Sequence, residues 1–186
     1  IIGHAAGSVA QIVDRTTYNK GIRVTTANPI MAESVAEWSL LATLLASRNF
    51  GAYSQWFGQS EVKWTQSENM QDIKNMTIGI WGFGDISKHL LSMLKPLRPG
   101  RILVCSKHSS KEELAEYGVQ KASLEDVLSN SDIIHTLTGV NQENFEKISS
   151  RELALIKNGA TLINGGRARL FQEESLLREL QTARFN

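Results

Sequence analysis

Two rhythms of apolar residues run along this chain. From Ile78 onward, short apolar runs alternate with stretches in which apolar residues return every three or four positions. The runs Ile78–Trp81, Ile102–Cys105, Ile133–Thr136 and Ala160–Ile163 read as strands. Ile86, Leu90, Leu94 and Leu97 mark a helix after the first of them. Ser109 to Glu113 reads as a capping box opening a short helix, Ser123 to Asp126 opens another, and Ser149 to Glu152 caps one that ends at Lys157-Asn158-Gly159. A last helix spans 173–183, with Leu176, Leu177, Leu180 and Ala183 inward. Strands alternating with helices predict right-handed crossovers and a doubly wound parallel sheet, an α/β fold of the Rossmann type. Ligands gather at the carboxyl ends of such strands. That places interest on Gly82–Ser87, Ser106–His108, Thr136–Gly139 and Asn164–Arg169.

The first 76 residues are less regular. Residues 8–19 suit a helix with Val9, Ile12 and Val13 on one face and Gly21 as its C-cap. Ile22 to Thr26 alternates like a strand, and Pro29 predicts an extended or turn segment. Met31 to Phe50 carries the longest helical pattern. One stripe is Met31, Val35, Trp38, Leu41 and Leu45; Leu40 and Leu44 form a second. A helix apolar on two sides is buried on two sides, as a core helix or as one shared with a partner subunit. Residues 51–76 read as polar and irregular, with Trp56 and Trp64 as isolated anchors.

The apolar run at Ile78 ends in Gly82-Phe83-Gly84, and Ser87 follows three residues later. Strand, tight turn and helix in this order expose backbone N–H groups at a helix N-terminus, where the dipole favours an anion. Gly82 serves the turn and Gly84 lets a pyrophosphate approach the backbone, with Ser87 in place of the third glycine of the dinucleotide fingerprint.

Composition narrows the field. The 186 residues carry a formal net charge of +1, with 41% hydrophobic and 21% charged positions, ordinary values for a globular chain. There is no basic stripe for nucleic acid, and no apolar run of membrane-spanning length stands out. One cysteine, Cys105, precludes a disulfide framework within the chain and points to a reducing, cytoplasmic setting. No cluster of metal-ligating residues and no nucleophile elbow stands out. The chain opens on Ile1-Ile2-Gly3, as if inside a strand, and closes just after a helix, so it is expected to be a piece of a longer protein.

Four segments in order resemble the D-isomer-specific 2-hydroxyacid dehydrogenases, the family of phosphoglycerate, formate and D-lactate dehydrogenases. They are Gly21-Ile22-Arg23-Val24-Thr25 leading to Ser34-Val35-Ala36-Glu37; Ile78-Gly79-Ile80-Trp81-Gly82-Phe83-Gly84; Ser123–Leu128 through Ser131–Ile134; and Glu152–Ala160 through Leu162-Ile163-Asn164-Gly165-Gly166-Arg167. The resemblance implies hydride transfer between a nicotinamide cofactor and C2 of a small 2-hydroxy or 2-keto acid. Arg167 would bind the substrate carboxylate and polarise its carbonyl, which suits the two-point geometry of a guanidinium. The glycines before it, Gly165 and Gly166, are expected to let backbone approach a ligand. Ala6 and Gly7 resemble a loop that holds the carboxylate from the other side. Gly82, Gly84, Asp85, Ile86, Thr136, Leu137, Thr138 and Asn144 would line the cofactor. Residues 1–27 would be the tail end of a substrate domain and 28–186 a dinucleotide-binding domain, incomplete at its C-terminus. A homodimer through Met31–Phe50 is also implied.

The departures matter as well. Ser106 stands where the family carries an acidic residue for the ribose of NAD, and Lys107 and His108 follow it. A serine and a lysine there suit a 2′-phosphate, so NAD or NADP is expected, with a lean to NADP. Arg169 replaces a usual glycine. None of the four histidines, His4, His89, His108 and His135, takes the place of the family's acid–base histidine, and the partner glutamate is missing with it. The rival reading is a dinucleotide-sensing regulatory or protein-binding module without turnover.

Overall fold

A computed structural model describes residues 1–9, 12–57 and 70–186. Trp64 and the side chain of Trp56 lie outside what is described. In chain order the elements are β1 (Ile2–His4), α1 (Arg15–Asn19), β2 (Val24–Thr26), α2 (Asn28–Ser47), α3 (Phe50–Phe57), β3 (Thr77–Trp81), α4 (Asp85–Leu94), β4 (Arg101–Cys105), α5 (Lys111–Glu116), β5 (Gln120–Lys121), α6 (Leu124–Asn130), β6 (Ile133–Thr136), α7 (Ser150–Leu153), β7 (Thr161–Asn164) and α8 (Glu173–Gln181). Strands β3 to β7 form one parallel sheet in the order β5-β4-β3-β6-β7, as expected for the doubly wound fold. β1 and β2 pair in parallel as a separate sheet, Ile2 opposite Val24.

Alternation along β3 decides what covers each face. Ile78 and Ile80 pack with Leu90, Leu91 and Leu94 of α4 and with Ala36 of α2. Trp81 faces the other way, with Leu124, Val127 and Leu128 of α6. Gly79 shares that second face, and a Cβ there would stand 2.2 Å from Ser131 Oγ and 2.8 Å from Val127 Cγ1. The glycine is what lets α6 sit directly on the central strand.

α2 overturns three expectations. Pro29 lies in its first turn, where a missing N–H costs nothing. Its buried face is the small one, Ala32, Ala36, Ser39, Thr43 and Ser47, while Met31, Trp38, Leu41, Leu44 and Leu45 are exposed. The buried hydroxyls cost little, because they donate to the helix's own carbonyls: Ser39 to Val35, Thr43 to Ser39 and Ser47 to Leu44. At 20 residues α2 is also long and apolar enough, by length and composition alone, to cross a membrane, contrary to the expectation from the apolar runs. Its small face packs on α4 and the sheet, as a core helix does.

Other boundaries moved for local reasons. Of the helix expected over 8–19, residues 10 and 11 lie outside what is described, and the described helix starts at Arg15, where the Asp14 carboxylate accepts from the Thr17 N–H at 3.0 Å and caps it. α3 occupies part of the stretch read as irregular, and β5 was not foreseen. α7 is a single turn rather than a helix reaching Lys157, because Arg184 takes the carbonyls of Leu153 and Ile156. α8 buries Ser175 and half-buries Leu176, but Leu177 and Leu180 are exposed and Ala183 lies beyond its end.

Candidate functional site

β3 delivers the chain to Gly82 at φ +113°, and a Cβ there would lie 2.8 Å from Thr138 N and 2.9 Å from the Leu137 carbonyl carbon. Conformation and contact both demand glycine. The turn is pinned on either side: Gly82 N–H donates to Cys105 O at 2.9 Å and Leu137 N–H to Trp81 O at 2.8 Å. Gly84 is the opposite case. Nothing lies within 4 Å of its absent Cβ, and it caps α4 with no side-chain bond to the first-turn N–H groups. Those groups remain available to an anion. Ser87 is buried and donates to Gly82 O at 2.9 Å, so the serine in place of the third glycine ties the helix back onto the turn. Asp85 lies exposed in the first turn of α4, whereas Ile86 packs into the core.

A cleft of about 590 Å³ opens beside this turn, lined by Trp81–Gly84, Cys105–Ser109 and Leu137–Asn141 with Glu143, Asn144 and Lys147. On the β4 side Ser106 donates to Ser109 Oγ at 3.0 Å. Lys107 was expected to await a 2′-phosphate. It instead holds both oxygens of Glu143, at 2.7 and 2.6 Å. That contact keeps the Glu143 carboxyl below the ordinary carboxylate range, with a lesser contribution from His108. Burial pushes the Cys105 thiol up, away from reactivity.

On the β6 side Leu137 and Thr138 line the cleft, but Thr136 is buried and donates to Asn164 Oδ1 at 2.8 Å. The Gly166 N–H donates to the same oxygen at 3.0 Å. Asn144 lines the cleft and ties its own loop, donating to Gly139 O and accepting from Asn141 N–H, each at 2.6 Å.

Arg167 follows the end of β7, exposed, and its guanidinium donates to Gly166 O at 3.2 Å. Among the described residues no carboxylate pairs with it. The two glycines before it have an internal reason. A Cβ on Gly165 would strike Leu137 at 2.8 Å, and one on Gly166 would strike the carbonyls of Thr138 and Thr136 at 2.9 and 3.0 Å. Protein, rather than open space, adjoins both. Arg169 turns to Glu146 at 3.7 Å. Ala6 and Gly7 follow β1 beside the start of α2, where Ala27 N–H donates to Ala6 O, and a Cβ on Gly7 would stand 3.1 Å from Asn28 Oδ1. No hydrogen bond among the described residues joins them to Arg167. A groove of about 420 Å³ does join α2, through Met31, Ser34, Val35 and Trp38, to Asn164 and Gly165.

His135 is sealed in the core. Its Nε2 lies 2.8 Å from Thr43 Oγ1, whose own proton goes to Ser39 O, so Nε2 carries hydrogen and Nδ1 is left bare. Burial lowers its pKa from 6.5 to about 4. Sequence reasoning missed Glu143. It lies in a polar loop without periodicity, and nothing local links it to Lys107, 36 residues away.

The model of the D-isomer specific 2-hydroxyacid dehydrogenase NAD binding domain matches residues 40–186. The chain belongs to that family. Glyoxylate reductase of Thermococcus gammatolerans is 28% identical over 188 residues, covering 97% of this chain and 55% of the relative. Among solved structures, a phosphoglycerate oxidoreductase from Rhizobium etli superposes with a TM-score of 0.78 at 29% identity, covering 92% of this chain and 52% of that one. D-lactate dehydrogenase from Aquifex aeolicus, complexed with NAD and lactic acid, gives 0.82 at 22% identity over 97% and 54% of the two chains. The chain spans about half the length of the curated dehydrogenase relatives it matches.

Proposed function

We propose that the chain is the dinucleotide-binding part of an NAD-dependent oxidoreductase acting on a small 2-hydroxy or 2-keto acid. The observation that carries this is the pairing of Gly82, which the fold requires, with Gly84, which the fold does not. The second leaves bare N–H groups at a helix N-terminus opening on the cleft. When bound, the cofactor supplies or accepts the hydride. Gly84 and the first turn of α4 hold the pyrophosphate, and Ser106 lies toward the ribose. Leu137, Thr138 and Asn144 line the β6 side. Arg167, with no carboxylate partner among the described residues, receives the substrate carboxylate. Thr136 and Asn164 with Gly165 and Gly166 shape the loop that carries it. Glyoxylate reductases among the relatives favour the smallest 2-keto acids as substrates.

The basic run after Ser106 favoured NADP. Lys107 already has its charge matched by Glu143, so NAD is the better reading of this cleft. Residues 1–27, which carry the separate β1–β2 pair, fit the tail of a substrate domain with Ala6 and Gly7 in its loop. A second copy covering the exposed apolar face of α2 fits the homodimer, and the single cysteine fits a cytoplasmic setting.

Among the described residues no histidine hydrogen-bonds Arg167. His135 is sealed, His108 lines the β4 side of the cleft, and His4 and His89 lie on β1 and α4. Calorimetry is therefore expected to show NADH binding by the whole chain, without reduction of glyoxylate or pyruvate. Gly84→Val should abolish binding at an unchanged melting temperature. A wild-type chain that binds no dinucleotide overturns the reading.

A further inference from the structure

Lys107 leaves the carboxyl end of β4 one residue past Ser106, and Glu143 comes from the loop after β6. Their side chains meet across the cleft that both line, Nζ within 2.7 and 2.6 Å of the two carboxylate oxygens. Both are well exposed, at 65% and 66%. An exposed pair of this kind is a weak contact that solvent opens readily, so it bars no ligand. What it fixes is the charge around Ser106. The carboxyl end of this strand is where a dinucleotide fold reads the ribose 2′ group.

The loop holds Glu143 in place. Asn141 Oδ1 accepts from the N–H groups of Glu143 and Asn144, at 2.9 and 3.1 Å, and Asn144 returns a bond to Gly139 O. Farther along, Glu146 pairs with Arg169. The carboxylate is thus presented on an anchored backbone. A 2′-hydroxyl entering here meets an acceptor for its proton. A 2′-phosphate meets a like charge, and must draw Lys107 away from it.

We propose that Glu143 is the specificity-determining residue for the 2′ position and selects NAD over NADP from the lip opposite Ser106. It supplies from the β6 loop the negative charge that the end of β4 lacks. This rests on the reading of the cleft as a dinucleotide site.

The test is calorimetric titration of NADH and NADPH into the whole chain, its Glu143→Gln variant and the Lys107→Ala/Glu143→Gln double variant. Glutamine is isosteric and the site is exposed, so melting temperatures should match. The ratio of Kd values is expected to move about tenfold toward NADPH in Glu143→Gln. Most of that gain should vanish in the double variant, because it needs a freed Lys107. A ratio within about twofold of wild type, with NADH still binding, overturns the proposal. Binding of neither cofactor by the wild-type chain overturns the cleft reading, and this proposal with it.

Discussion

Gly82 and Gly84 are two residues apart and answer to different demands. Alanine at Gly82 meets both a positive φ and the Thr138 backbone. It should lower stability by about 1–3 kcal/mol, read as a shift in denaturant midpoint. Alanine at Gly84 enters open space, so the midpoint should hold while NADH affinity falls. His135 gives a third residue-scale test. Its folded pKa, about 4, lies below its ordinary 6.5, so it is neutral in the folded chain and the unfolded chain binds the extra proton between those values. Its contribution is complete above pH 6.5 and is lost as pH falls toward 4. The loss is on the order of 3 kcal/mol. Unfolding midpoints measured across that window should show this slope in wild type and a flatter one in His135→Gln.

At the scale of elements, the exposed face of α2 is the feature to test. Trp38, Leu41 and Leu45 project from it, with Leu41 54% exposed, while Leu40 packs into the core. Leu41→Lys with Leu45→Lys should therefore give a folded monomer by sedimentation. Leu40→Lys would instead unfold the helix from the sheet. A wild-type chain that stays monomeric at high concentration removes the homodimer from the proposed function. The same helix shows what the sequence hides. Hydropathy weights Leu and Trp, but Ala32, Ala36, Ser39 and Thr43 are buried because only small residues let α2 approach this closely. Strands β3, β4, β6 and β7 were legible because long apolar runs in a parallel sheet are buried on both faces. β5 was not, since its two residues are a strand by virtue of pairing with Leu103 and Val104. In the site, the glycine turn was legible because conformation alone demands it at Gly82. The Lys107–Glu143 contact exists only once the fold joins distant loops.

For the whole molecule, cofactor binding and folding are one equilibrium. If the cleft binds NADH only when folded, a hundredfold excess over Kd should raise stability by about 2.7 kcal/mol, and Gly84→Val should erase that rise. The last residues also hold the sheet together. Arg184 O accepts from Gly159 N–H, Asn186 bonds both Ala160 O and Leu162 N–H, and Phe185 between them is buried with the α6 side of the core. The edge strand is thus fastened by a side chain that cannot leave without opening that core. Amide hydrogens of Leu162 and Asn186 should then exchange with deuterium at the slow, global rate rather than by fraying. Phe185→Ala should release those two alone, leaving Ile78 in the central strand as protected as before.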